Sequence, residues 1–121
     1  MQPSVPVVVS KTYDLTLWML PKLAKFPRDQ RFLLGDRIEN MLLDILEDLI
    51  DATYTKEKVN ILKKANLRLE KLRFLVRLSS DMRFINLTSY EFAGRGIDEV
   101  GRMVGGWISS RGGSASGGKA S

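Results

Sequence analysis

Four carboxylates within one short stretch come closest to a catalytic or metal-binding arrangement. Asp44, Glu47, Asp48 and Asp51 are spaced so that pairs of them share a helix face, where carboxylates hold divalent cations or act as general acid and base. Helical di-metal sites pair glutamates with histidines on facing helices, and the chain contains no histidine and no cysteine. We therefore expect no metal site, no cofactor and no enzymatic activity.

A second set of residues is suited to binding phosphate. It lies on one segment, with three members on one flank and two on another: Lys64, Arg68, Lys71, Arg73 and Arg77. Cations at three- and four-residue spacing follow a nucleic-acid backbone without reading its bases, and the net charge of +5 favours an acidic partner. Arg28 and Arg31, at the start of the preceding segment, are further candidates. The alternative interpretation is a solvent-exposed helix face, partly neutralised by nearby acids.

The segments that carry these residues have helical periodicity throughout. Apolar residues recur every three or four positions, and no segment alternates with period two. The segments cover about 12–26, 28–52, 56–82 and 89–111. Helices of this length joined by short turns pack antiparallel to their neighbours. The sequence therefore predicts an all-α fold, an antiparallel up-down-up-down four-helix bundle over residues 11–110.

Both ends of the chain differ from this middle. Residues 1–10 contain two prolines and a valine run, which predict an extended arm, and the Gly/Ser-rich residues 111–121 predict a disordered tail. No apolar run approaches the roughly 20 residues that span a bilayer, and the first residues do not resemble a signal peptide. We expect a cytoplasmic protein with no membrane contact.

Prolines, caps and glycines give local predictions. Pro21 should bend or break the first helix, and Thr88 or Asn86 should cap the start of the fourth. Glycines at 101, 105 and 106 are unusual within a helix, since each costs about 1 kcal/mol relative to alanine. We expect a neighbouring helix to approach them closely, with Trp107 closing the end of the bundle.

The third segment has two apolar faces. A helical wheel places Leu62, Leu69 and Val76 on one face and Leu67, Phe74 and Leu78 on the opposite one. A single bundle core buries only the first face, so we interpret the second as an oligomer or partner interface. The alternative is a splayed bundle that buries both faces internally.

Charge is divided between two helices. Residues 36–51 contain six acids and one arginine, whereas residues 56–83 contain nine basic residues and three acids. Helices of opposite sign pair favourably. The sequence leaves open whether they pair within one subunit or between neighbours in a ring.

Three motifs resemble a known protein family. They are LPKLAKFPR at residues 20–28, LEKLRFLVRL at 69–78 and VGRMVGGW at 100–107. In order and spacing they resemble the accessory variability determinants of diversity-generating retroelements. That family is grouped with the four-helix-bundle proteins encoded in ribosomal RNA intervening sequences.

The resemblance implies a homopentameric barrel of four-helix subunits. It implies binding to the retroelement's reverse transcriptase and to template RNA or cDNA, in support of mutagenic reverse transcription by that polymerase. The matching Arg73 and Arg77 would then contribute to partner binding. The alternative function is that of an intervening-sequence-type bundle with a structural or RNA-associated role.

Overall fold

The computed structural model describes residues 5–112, and this part of the chain is helical with no strand. Its four long helices are α1 (Val7–Leu23), α2 (Asp36–Tyr54), α3 (Lys58–Asp81) and α4 (Leu87–Ser110). Each helix packs mainly on two others, so α1 and α3 stand at opposite corners of a square. The predicted all-α, four-helix fold is confirmed. Within this part of the chain, no helix is long and apolar enough to cross a membrane.

All four helices contribute one face to a single apolar core. The contribution of α3 is a near-heptad row of fully buried residues: Leu62, Ala65, Leu69, Leu72 and Val76. The buried hydroxyls of Thr12, Thr16 and Ser79 each donate to the carbonyl four residues earlier, at 2.7, 2.8 and 2.9 Å. The polar groups in this core are therefore hydrogen-bonded, as burial requires.

Helix α1 begins earlier than predicted. The extended arm expected over residues 1–10 is wrong from Val7 onward, because the first turn of α1 starts there. Val8 and Val9 are buried in the core, and the Val9 N–H donates to the Pro6 carbonyl at 3.0 Å. Burying two valines outweighs the weak preference of β-branched residues for extended backbone. Residues 1–4 of the predicted arm, and residues 113–121 of the predicted tail, lie outside the described part.

Pro21 lies in the last turn of α1, which ends at Leu23 rather than at the predicted Phe26. Proline has no N–H to donate to the carbonyl four residues earlier, so the hydrogen-bond ladder is interrupted there. The helix nevertheless continues through Pro21 to Leu23, so the predicted break does not occur at the proline, and residues 24–27 lead to the next element.

The second predicted helix, over 28–52, is an unbroken run of helical residues over 28–54, but its first turns are not regular α-helix. A short helical turn, Arg28–Gln30, is followed by a π-helical turn, Arg31–Gly35, before α2 begins. The extra residue in a π turn changes which side chains face the core. Gly35 is buried at this turn, and Phe32 and Leu33, which lie on the side away from the core, are 69% and 62% exposed. Sequence periodicity could not anticipate this local shift.

Two side chains form hydrogen bonds with backbone groups at the ends of helices. The Asn86 side chain accepts a hydrogen bond from the Ser89 N–H at 2.8 Å, which confirms one of the two predicted caps of α4. At the C-terminal end of α2, the Lys58 ammonium donates to the carbonyls of Ala52 and Thr55 at 2.6 and 2.7 Å. It also lies 5.9 Å from the ring centroid of Trp107. Lys58 thus complements the negative end of α2, and Trp107 lies at that end of the bundle.

The turn after α3 contains a residue in the left-handed region. The N–H of Phe84 donates to the Ser79 carbonyl at 2.8 Å and that of Arg83 donates to the Ser80 carbonyl at 2.9 Å, the two hydrogen bonds of a Schellman motif. Arg83 takes a φ of 64° at the position where glycine is usual. The Phe84 ring packs on Phe26 at 5.4 Å between centroids, so the turn is held against the end of α1.

We expect Arg83→Gly to raise the free energy of unfolding by about 0.5–1 kcal/mol. The left-handed conformation costs a side-chain-bearing residue about 1–2 kcal/mol, and the greater freedom of glycine in the unfolded chain offsets part of that gain. Urea denaturation followed by the helical signal measures the change. Arg95→Gly, in the middle of α4, is the matched control and should instead lower stability by about 1 kcal/mol. An equal loss in both variants would contradict a strained Arg83.

Candidate nucleic-acid and partner interface

Lys64 and Lys71 lie on the outer surface of α3. Both side chains are exposed, and neither forms an ion pair with another residue of the range 5–112. They are two helical turns apart, which corresponds to about 10 Å along the axis. These two of the predicted cations are therefore available to an external anion.

Arg68, between them in sequence, points toward α2. Its guanidinium forms an ion pair and hydrogen bond with Asp48, whose carboxylate is mostly buried. The pair connects the basic helix to the acidic one, so the oppositely charged helices meet at least in part within one subunit. The observed contact of Arg68 is therefore with α2, and its binding to phosphate stays a prediction.

Arg73 lies on the opposite flank of α3, beside α4. Its guanidinium forms an ion pair with Asp98 of α4 and a second one, at 3.4 Å, with Glu70 of α3. Burial by itself lowers the pKa of the Arg73 guanidinium, but the hydrogen bond and charge of Asp98, together with Glu70, outweigh burial and raise the pKa. Arg73 thus remains cationic and is held in place by two carboxylates.

The other predicted arginines are more exposed. Arg77 forms only a long contact of 3.9 Å with Asp81, one turn further along α3, and such exposed pairs contribute little stability. Arg28 and Arg31 are exposed and form no ion pair within the described range. The Arg31 guanidinium lies 6.0 Å from the ring centroid of Phe32. These three arginines are positioned to contact an outside partner with little loss of internal bonding.

The seven predicted cations do not form one cluster. Arg68 lies on the α2 side of α3 and Arg73 on its α4 side, whereas Lys64 and Lys71 lie on its outer surface. Arg28 and Arg31 belong to the turns before α2, at the end of the bundle where α3 finishes, as the Phe26–Phe84 contact indicates. The basic residues therefore surround α3 rather than forming a single patch.

The second apolar face of α3 is exposed, as the wheel predicts. Leu67, Phe74 and Leu78 are 56%, 64% and 46% exposed. The alternative of a splayed bundle that buries both faces is therefore wrong for the single subunit. Whether this face is an oligomer interface remains a prediction.

Sequence analysis missed an apolar groove that continues this face. The groove has a volume of about 630 Å³ and lies between the π-helical turn and the end of α3. Its lining includes Phe32, Leu33, Leu78 and Met82, all of them exposed. Helical periodicity places Phe32 and Leu33 away from the core face of Ile38, but it does not show that the end of α3 lies beside them.

The acidic residues of α2 do not converge on a metal site. Within residues 5–112, no three carboxylates come close enough to hold an ion. Asp44, Glu47 and Asp51 are exposed along the outer face of α2, and Asp48 is turned toward Arg68. The α2 carboxylates therefore form a negatively charged helix face.

The glycine-rich part of α4 is open rather than closely packed. A Cβ added at Gly101 or Gly106 would meet nothing within 4 Å, so the expected close approach of a neighbouring helix is wrong at these positions. The close approach occurs at Gly96, where an added Cβ would lie 2.9 Å from Leu15 Cδ1 of α1. At Gly101, Gly105 and Gly106, the missing side chains leave a groove of about 660 Å³ beside Arg73.

The family comparison covers this whole arrangement. The sequence model of the bAvd-like family matches residues 6–111, which include all four helices and the three motifs. The chain belongs to the bAvd-like family. The resemblance to accessory variability determinants is thus confirmed, and the matched region begins ahead of the bundle boundary predicted at residue 11. A comparison with curated proteins gives no match.

Membership in the bAvd-like family agrees with the distribution of polar groups. Accessory variability determinants generally act as accessory proteins without catalysis of their own. In the described bundle, polar groups inside the core are hydrogen-bonded and the charged residues lie on the flanks and outer faces. The surface that remains for function is therefore the outside of the helices.

We expect the two kinds of glycine in α4 to respond oppositely to alanine. Gly101→Ala should raise the free energy of unfolding by about 1 kcal/mol, because alanine favours the helix and the added methyl meets open space. Gly96→Ala should lower it by about 1 kcal/mol, because overpacking against buried Leu15 outweighs the helical gain. Urea denaturation of both variants tests this, and a similar stabilisation in both would contradict a tight α1–α4 contact at Gly96.

Proposed function

We propose that this protein is a non-catalytic accessory protein of a diversity-generating retroelement. In this role it binds the element's reverse transcriptase and its template RNA or cDNA, and it supports mutagenic reverse transcription by that polymerase. The observation that carries the proposal is the family match over residues 6–111, which spans the entire bundle. An accessory role requires surfaces for binding, and exposed cations and apolar side chains are what the outer faces of this bundle offer.

The chemistry of the surface supports a phosphate-bearing partner. The chain carries a net charge of +5, and the candidate cations are Arg28, Arg31, Lys64, Arg68, Lys71, Arg73 and Arg77. Arginine forks bind phosphate oxygens in bidentate fashion without reading bases. Arg28, Arg31 and Arg77 are the arginines least engaged within the subunit, so we assign them the first phosphate contacts. Arg68 and Arg73 would add to the local positive potential while holding the helices together.

The proposed function includes a homo-oligomer, with five subunits as in the family that the motifs resemble. The support in this chain is the exposed apolar row Leu67, Phe74 and Leu78 on α3. A monomer would leave this row in contact with water, which favours association. A ring of subunits would repeat the basic residues around a common axis and so multiply their attraction for a long polyanion.

Co-expression tests the proposed function directly. The protein is produced together with a reverse transcriptase encoded beside its gene and with the transcript that lies between them. We expect both to co-purify with it at physiological salt. Recovery of neither partner, or a gene surrounded by ribosomal RNA sequence with no reverse transcriptase nearby, would rule the proposal out.

We expect Arg28→Ala with Arg31→Ala, and separately Arg73→Ala with Arg77→Ala, to weaken binding of single-stranded template RNA. If Arg28, Arg31 and Arg77 each contact one phosphate, the slope of log affinity against log salt should become shallower by about 1.4 for the first pair and by about 0.7 for the second. Titrations at several salt concentrations measure this, and the far-ultraviolet helical signal should be unchanged. The matched control, Arg95→Ala with Arg102→Ala, removes the same charge from the outer face of α4. An equal slope change in all three double variants would show that only net charge matters.

A further inference from the structure

The outer face of α2 combines carboxylates with apolar side chains. The helix buries Ile38, Leu42, Ile45, Leu49 and Ala52 in the core. The opposite face exposes Asp44, Glu47 and Asp51, and beside them Ile50 and Tyr54, which are 40% and 68% exposed. Leu43, half-buried, continues the apolar row by two turns toward the start of the helix. An acidic row thus runs beside an apolar row.

The outer face of α3 has the same organisation with the opposite charge. Its apolar row is Leu67, Phe74 and Leu78, and at one edge of that row lie the exposed Lys64 and Lys71. Within residues 5–112, neither lysine forms an ion pair. The α3 face therefore needs a partner that is apolar in the middle and acidic at one side.

The spacing of the two faces matches. The apolar row of α2 is at residues 43, 50 and 54, and that of α3 is at residues 67, 74 and 78, so each row has steps of seven and then four residues. The charged rows also repeat at seven, with Asp44 and Asp51 on α2 and Lys64 and Lys71 on α3. Apolar residues at heptad-like spacing with charges at their edge are the pattern by which two helices pack side by side and choose partners.

These two faces cannot meet within one subunit. Each lies opposite the face by which its helix packs into the core. The contact between α2 and α3 inside the subunit uses their flanks, through Arg68 and Asp48. The complementary charges on the outer faces therefore remain for another molecule.

We propose that the outer face of α2 in one copy packs on the outer face of α3 in the next copy. Pairing α3 with α3 would bring lysines together, and pairing α2 with α2 would bring carboxylates together, and like charges in contact are unfavourable. The contact thus joins two different surfaces, and such head-to-tail contacts produce a closed ring when the rotation between copies closes. This inference rests on the oligomer included in the proposed function and names the surfaces that form it.

The pairing also assigns separate tasks to the cations. Lys64 and Lys71 contact the carboxylates of the neighbouring copy. Arg28, Arg31 and Arg77 remain for phosphate, together with the paired Arg73. One basic helix thereby serves both assembly and nucleic-acid binding at different positions on its circumference.

Charge reversal on each face tests the pairing. One variant carries Lys64→Glu and Lys71→Glu, and the other carries Asp44→Lys and Asp51→Lys. We expect light scattering to report the parental oligomer falling to the mass of one chain, 13.7 kDa, in each variant alone. In an equimolar mixture the two variants should associate with each other, because each then offers the other a complementary face, but a ring of five would keep one like-charged junction and should not close. The variant with all four substitutions should re-form the parental oligomer, because every junction then joins a basic α2 face to an acidic α3 face.

Apolar substitutions and a control complete the experiment. Phe74→Asp and Tyr54→Asp, one on each proposed surface, should each dissociate the oligomer, and the helical signal should stay constant because both side chains are exposed. Arg95→Glu with Arg102→Glu, on the outer face of α4, should keep the parental mass. Reversed variants that keep the parental mass, or a variant with all four substitutions that stays dissociated, would overturn this pairing. A parental chain that is itself monomeric would overturn the oligomer, whereas failure to recover the reverse transcriptase would leave the pairing intact.

Discussion

Each helix of this bundle can turn only one face toward the shared core, and the rest of the structure depends on that constraint. In a square of four helices, the buried face is apolar, the two flanks meet neighbouring helices, and the fourth side faces outward. The flanks carry the ion pairs that tie helices together, such as Arg68–Asp48 and Arg73–Asp98. Whatever the protein binds must therefore be bound by the outward side.

This arrangement determines which charged residues of α2 and α3 are paired inside the subunit and which face outward. Within residues 5–112, one ion pair, Arg68 with Asp48, joins these two helices inside the subunit. Asp44, Glu47 and Asp51 of α2 and Lys64 and Lys71 of α3 are exposed, and they are available to a second copy or to a polyanion. The acidic helix and the basic helix thus carry more opposite charges than are paired with each other within one subunit.

Two local backbone features affect which side chains are accessible at the end of the bundle where α3 finishes. Beside the π-helical turn before α2, the exposed Phe32 and Leu33 line an apolar groove against the end of α3. The left-handed Arg83 turns the chain sharply so that Phe84 can pack on Phe26. Both features alter which side chains are accessible without changing the order of the helices.

The helical class, the four segments, the two faces of α3 and the family could all be predicted from the sequence, because three- and four-residue periodicity and motif order are local properties. It also indicated the cations, but not which of them are committed to Asp48 and Asp98, since those partners are distant in the chain. The packing of the helices, by contrast, extends α1 through Val8 and Val9, gives Gly96 rather than Gly101 a close neighbour, and sets Phe32 beside the end of α3. Each of these depends on the distance between elements, and local periodicity carries no information about that distance.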